Sequence, residues 1–99
     1  MENREIIASR SREFHIDISE MPTTGYRWKC VERPTEIILV GDGFIQNSLS
    51  EQLDAKGTHR FTFFSEKTGS FILKFALKRE WEESVSSIIT YLVEVRETC

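Results

Sequence analysis

Apolar and polar residues alternate one by one through most of this chain, and a period of two confines it to extended strands that bury one face. In Phe14-His15-Ile16-Asp17-Ile18-Ser19 the apolar side chains fall on one side and the polar ones on the other, as a half-buried strand requires. The rule returns at Tyr26, Trp28 and Cys30, at Phe61 and Phe63, at Phe71, Leu73, Phe75 and Leu77, and at Ile89, Tyr91, Val93 and Val95. No stretch carries a helical stripe; the nearest approach, Glu80 to Ser87, is short and lacks an apolar face. The alternation predicts an all-β chain of about seven strands, at residues 4–8, 12–19, 26–32, 36–47 with a break, 58–65, 70–79 and 87–96. Short strands so spaced, with turn signals between them, read as an Ig-like antiparallel β-sandwich.

The connections carry the next constraint. Lys67-Thr68-Gly69 predicts a short hairpin between the fifth and sixth strands, and Gly41-Asp42-Gly43 is either a turn or a bulge within one bent strand. If successive strands reverse direction, every second connection falls at the same end of the sandwich. Residues 20–25, 48–57 and 80–86 then share one pole. A hairpin inside residues 36–47 would add a reversal and move the last two loops to the opposite end.

At 99 residues the chain has room for one core, so residues 1–99 are expected to form a single domain. Its 13 basic and 16 acidic residues are interspersed and sum to −3, which leaves no single-sign field to hold phosphates or anionic lipid. Neither nucleic acid nor a membrane is an expected partner, since no apolar stretch approaches the roughly 18 residues of a span. Met1-Glu2-Asn3-Arg4-Glu5 lacks the basic-then-apolar order of a secretory signal. The expectation for the chain as it stands is cytoplasmic, and secreted or periplasmic had a signal been removed. Cys30, inside an apolar pattern and expected to be buried, and Cys99, the last residue, do not make a disulfide framework. No pair of cysteines, histidines or carboxylates has zinc or calcium spacing, so no metal or cofactor is expected. A monomer is expected, although the exposed edges of a sandwich can either pair or be blunted.

The loop Glu20-Met21-Pro22-Thr23-Thr24-Gly25 is chemically unusual for a connector. Pro22 fixes its own φ and pushes Met21 to an extended shape, while Gly25 admits positive φ at the exit. Thr23 and Thr24 are held out on a stiffened arch, although a plain Pro-Gly turn joining two strands needs no more than this. Tyr26 stands where it can support the arch, Trp28 belongs to the core, and Met21 is either a staple or an apolar contact. Trp81 sits among Lys78, Arg79, Glu80, Glu82 and Glu83, where no alternation accounts for an indole. It is either an exposed contact residue or a lid folded over the end of the core. Arg79 either supports that ring, reaches a partner's carboxylate, or ends a strand in water. Catalysis finds little support. Lys67-Thr68-Gly69 has no Ser-x-x-Lys or Ser-Asp-Asn companion, and a nucleophilic Cys30 would need His15 or His59 beside it. His15 alternates to the solvent side, and His59 shares the inward face of Phe61 and Phe63.

Pro22-Thr23-Thr24-Gly25-Tyr26-Arg27-Trp28 resembles the signature loop of chagasin-type inhibitors of cysteine proteases, Asn-Pro-Thr-Thr-Gly followed by Tyr or Phe and soon after by Trp. Gly57-Thr58-His59-Arg60-Phe61-Thr62-Phe63, the turn at Lys67 to Gly69, and Lys78-Arg79-Glu80-Trp81 follow in that family's order and spacing, so the likeness runs from about residue 12 to residue 96. The resemblance implies a non-enzymatic, reversible, tight-binding inhibitor of papain-family cysteine peptidases. Its first loop, Met21 to Tyr26, would enter the active-site cleft, while loops 48–57 and 79–86 grip the rims. The residues it implicates are Pro22, Thr23, Thr24, Gly25, Tyr26, Lys56, Gly57, Arg79 and Trp81. Three departures stand out: Met21 replaces Asn, Asp54-Ala55-Lys56-Gly57 replaces a Gly-x-Gly-Gly stretch, and Glu80 replaces a Pro. The alternative is an Ig-like interaction or adhesion module that keeps the scaffold without inhibiting a protease.

Overall fold

The computed structural model describes residues 2–20, 25–46 and 57–97. Its strands are β1 (Glu2–Ser9), β2 (Phe14–Glu20), β3 (Tyr26–Glu32), β4 (Ile38–Gln46), β5 (Gly57–Phe64), β6 (Gly69–Arg79) and β7 (Ser87–Arg96). They form two sheets, one ordered β1-β7-β6-β3 and the other β2-β5-β4. The sandwich expected from the alternation is therefore present. One pairing is parallel, β1 against β7, and all others are antiparallel. Parity explains the exception: strands that reverse at every connection leave the first and the seventh pointing the same way.

Parity also decides the poles. Residues 38–46 make a single strand, with a register shift between Leu39 and Gly41 where Val40 is the extra residue. Gly41 and Gly43 thus belong to a bulged strand and not to a turn, so no additional reversal occurs. Glu20 and Gln46 both lie opposite Gly57, and Tyr26 lies opposite Arg79. The ends of the three even-to-odd connections accordingly meet at one pole.

The expected hairpin at Lys67 to Gly69 is a correction. β5 and β6 belong to different sheets, and the intervening residues carry the chain from one layer to the other. A buried Ser65 organises the crossing. Its Oγ donates to the Lys67 carbonyl at 2.9 Å and accepts the Lys67 N–H at 3.1 Å, while its carbonyl accepts the Ser11 N–H at 2.8 Å. Gly69 takes φ +138° at the start of β6, a conformation open to glycine. Turn residues between two alternating runs announce a reversal without saying which sheet receives the second strand.

Between the layers lie Ile16 and Ile18 of β2, Phe61 and Phe63 of β5, Leu73 and Phe75 of β6, and Ile89, Tyr91, Val93 and Val95 of β7, all buried, with Ile37 closing the end away from the loops. Phe75 joins the sheets. Its ring centroid is 4.8 Å from that of Phe61 across the interface and 5.5 Å, edge-on, from that of Tyr91. Trp28 is buried as its alternation predicts. Replacing Phe75 by Ala removes the ring that both layers pack against, so urea denaturation should show a loss of about 3–5 kcal/mol.

Candidate functional site

β2 ends in one sheet and β3 begins in the other, so the first loop cannot be closed by the hydrogen-bond ladder of a hairpin. A side-chain clasp closes it instead. β3 is an edge strand, and the Trp28 N–H, which would otherwise point outward unpaired, donates to Glu20 Oε1 at 2.8 Å. Trp28 Nε1–H in turn donates to the Ser19 carbonyl at 3.0 Å. The last residues before the loop and the third residue of the following stretch after Gly25 are thereby tied twice.

The second carboxylate oxygen of Glu20 extends the network. Oε2 lies 3.0 Å from Nδ1 of His59, whose Nε2 lies 2.7 Å from Asp42 Oδ2 on β4. His59 is buried, as its shared face with Phe61 predicts, and stacks on that ring at 4.2 Å with an interplanar angle of 3°. Asp42 sits at the partly exposed end. Sequence reasoning did not single out Glu20, although Ile16, Ile18 and Glu20 share one parity. A charge falling on the inward face at a strand end was the available signal.

At the other side of the pole Arg79 supports two rings. Its guanidinium lies 4.4 Å from the centroid of Tyr26 and 5.8 Å from that of Trp81, distances at which cation–π attraction acts, and its Nη1 donates to Glu82 Oε1 at 3.2 Å. Trp81 remains 72 % exposed, so it is no lid over the core. Its indole instead lies against Gly25. A Cβ built on Gly25 would stand 3.0 Å from Trp81 Cη2, and Gly25 holds φ +81°. Both space and backbone conformation therefore call for glycine.

Gly57 is constrained more tightly still. A Cβ there would fall 2.1 Å from Phe44 Cζ and 2.6 Å from the Ile45 carbonyl oxygen. Its place is inside the β4–β5 pairing, where it lets β4 close on β5 at the root of the second loop. Of the residues implicated by resemblance, Gly25, Tyr26, Arg79 and Trp81 are brought together and Gly57 anchors the neighbouring strand pair. Pro22, Thr23, Thr24 and Lys56 lie outside the described residues, as do Met21 and the stretch 54–56.

Elsewhere the ionic contacts are superficial. Arg60 grips Asp17 with two bonds of 3.0 Å on the outer face of β2 and β5, which holds the Asp17 carboxyl below its ordinary range. His15 is exposed and bonds Thr62 Oγ1 at 3.0 Å. Cys30 corrects an expectation: it is half-buried rather than buried, with Sγ 3.7 Å from the Glu32 carbonyl. β3 lies at the sheet edge, which leaves one flank of the thiol open. Desolvation nevertheless raises its pKa, against a weaker opposing pull from Arg33, so it lacks the thiolate character of a nucleophile. Among the described residues no group of three or more His, Cys, Asp or Glu is placed to hold a metal ion.

The sequence matches the family model of the chagasin family peptidase inhibitors, I42, over residues 8–95. The chain belongs to the chagasin family. No curated protein matches it, but solved structures do. The cysteine protease inhibitor EhICP2 from Entamoeba histolytica superposes with a TM-score of 0.77 at 23% identity, covering 96% of this chain and 88% of that one. Amebosin gives 0.71 at 15%, covering 97% and 99%. PbICP-C, solved in complex with falcipain-2, gives 0.63 at 15%, covering 98% and 88%. At these identities the structures establish a shared fold, while membership of the chagasin family establishes a peptidase inhibitor rather than an enzyme. In this chagasin-family chain the Glu20 clasp holds the loop root, so Glu20→Ala should lower stability by about 3–5 kcal/mol in chemical denaturation by leaving the Trp28 amide and His59 without their buried acceptor.

Proposed function

We propose that the pole formed by the loops after β2, β4 and β6 is the inhibitory surface, and that it blocks papain-like cysteine proteases reversibly by seating residues 21–26 in the active-site cleft. The observation that carries this reading is the braced, 72 % exposed Trp81, held against Gly25 and Arg79 at the end of the sandwich where the first loop leaves and returns. An indole fixed in water contributes nothing to the core and is a typical anchor for a partner, costing roughly 2 kcal/mol or more when truncated. That PbICP-C was solved with falcipain-2 supports a papain-like cysteine protease as the partner class.

The chemistry asked of the chain is occlusion. Thr23 and Thr24 are stiff at χ1, and Pro22 restricts the backbone on either side of it. A loop whose two ends are clasped by Glu20 and Trp28 has less freedom left to lose when it docks, which lowers the ordering cost that otherwise consumes interface energy. Trp81 and Arg79 would meet one rim, with the second loop, including Lys56, at the other, in an interface of roughly 1,600 Å². Arg79 neutralises Glu82, leaving Glu80 and Glu83 exposed to steer approach to a basic rim.

Papain activity should fall linearly with added protein and vanish near equimolar ratio. Thr24→Arg or Trp81→Ala should each weaken inhibition at least about tenfold with the thermal midpoint nearly unchanged, since Trp81 is exposed and Thr24 falls between β2 and β3 in the chain. Full papain and cathepsin activity at micromolar protein would contradict the inhibitor reading and favour an Ig-like interaction module.

A further inference from the structure

His59 stands between two carboxylates, and an ionised carboxylate only accepts hydrogen bonds. Glu20 Oε2 is 3.0 Å from Nδ1 and Asp42 Oδ2 is 2.7 Å from Nε2. A neutral imidazole carries one N–H and satisfies one of these contacts; the other then sets a ring lone pair against an oxygen lone pair. Both are satisfied together when each nitrogen carries a proton. The two carboxylates are not equivalent. The Glu20 side chain is 3 % exposed and is held from its other oxygen by the Trp28 amide, whereas that of Asp42 is 47 % exposed and can turn to water. Loss of one proton therefore leaves Nδ1–H on Glu20 and releases the bond to β4.

That bond matters because of what it joins. Glu20 is the last residue before the first loop, His59 is two residues beyond the second loop's end at Gly57, and Asp42 lies on the strand that leads into the second loop. The chain of bonds Trp28–Glu20–His59–Asp42 crosses from the edge of one sheet through the whole width of the other. We propose that His59 is a positioning residue for inhibition, locking the roots of the first and second loops to each other when it is doubly protonated and loosening the second when it is not. The proposal rests on the inhibitory pole described above.

Among the described residues the groups that face His59 are few. β2 presents Glu20, β4 presents Asp42, β5 itself presents the Phe61 ring, and β3 contributes the uncharged Trp28 amide. Asp17 and Arg60, its neighbours in register, pair with each other on the outer face, and Arg79 on β6 is turned to Tyr26 and Glu82. The sign follows from linkage: the locked form binds one proton more than the loosened form, so locking is favoured at low pH and lost as pH rises.

The variant that separates this role from simple structural support is Asp42→Asn. An asparagine can donate its own N–H to Nε2 of a neutral ring, completing the chain at any protonation state. Inhibition constants for papain should be measured at about pH 5.5 and about pH 8 for the natural protein and for Asp42→Asn, each variant being compared on the same protease at the same pH. The natural protein should weaken about tenfold relative to Asp42→Asn between the two, the value of one charge-assisted bond. In parallel, NMR of the free proteins should show the Gly25 and Gly57 amide shifts moving between those two pH values in the natural protein and remaining still in Asp42→Asn. Equal pH responses of the two proteins, in inhibition or in those shifts, would overturn the proposal. Absence of papain inhibition by both at either pH would instead overturn the inhibitory reading, and the amide shifts alone would then decide the lock.

Discussion

The buried carboxylate of Glu20 is the contact on which the proposed inhibitory end of this molecule depends. Two features of the fold create the need for it. The first loop joins strands of different sheets, so no ladder can close it, and β3 is an edge strand, so its outward amides have no partner strand. Glu20 meets both needs at once by accepting the Trp28 N–H with one oxygen and bonding His59 with the other. A carboxylate buried this deeply is costly unless each oxygen is engaged, and here both are. The same arrangement places Tyr26 two residues before the clasped amide, where its ring receives the Arg79 guanidinium. Arg79 in turn braces Trp81, and Trp81 covers the one side of Gly25 where a Cβ would stand.

Much of this was legible in the residues because alternation reports burial directly. The inward faces of β2, β5, β6 and β7 follow from parity alone, as do the buried Trp28 and His59 and the solvent-facing His15. The shared pole followed from counting reversals, and held because Gly41 and Gly43 belong to a bulged strand. What escaped was information that is not periodic. Lys67 to Gly69 marks a change of direction equally well in a hairpin and in a crossing between layers, and the buried Ser65 that makes it a crossing is a residue type common in both. Cys30 obeys the alternation of Trp28 and yet is half open, since the inward face of an edge strand runs out of neighbours to cover it. The Glu20–His59–Asp42 chain unites three strands far apart in sequence, and no local pattern can announce such a meeting.

The departures from the family's loop patterns acquire physical content from the same geometry. Glu80 in place of a proline leaves the third loop an ordinary backbone amide, and the bracing of that loop falls to the pair of Arg79 with Glu82 and to the stack on Tyr26. In the second loop the glycine that is retained, Gly57, is the one that Phe44 and the Ile45 carbonyl leave no room to replace. Close strand approach explains its retention without appeal to a partner. The roots of the proposed inhibitory surface, at Gly25 and Gly57, thus tolerate little change.

Amide hydrogen exchange at Trp28 tests this account most directly. In β3 the amides of Arg27 and Lys29 alternate toward β6, whereas that of Trp28 points to the free edge. If Glu20 closes the loop as described, the Trp28 amide should exchange as slowly as those ladder neighbours. Exchange at the rate of an open edge amide, with Arg27 and Lys29 still protected, would contradict it.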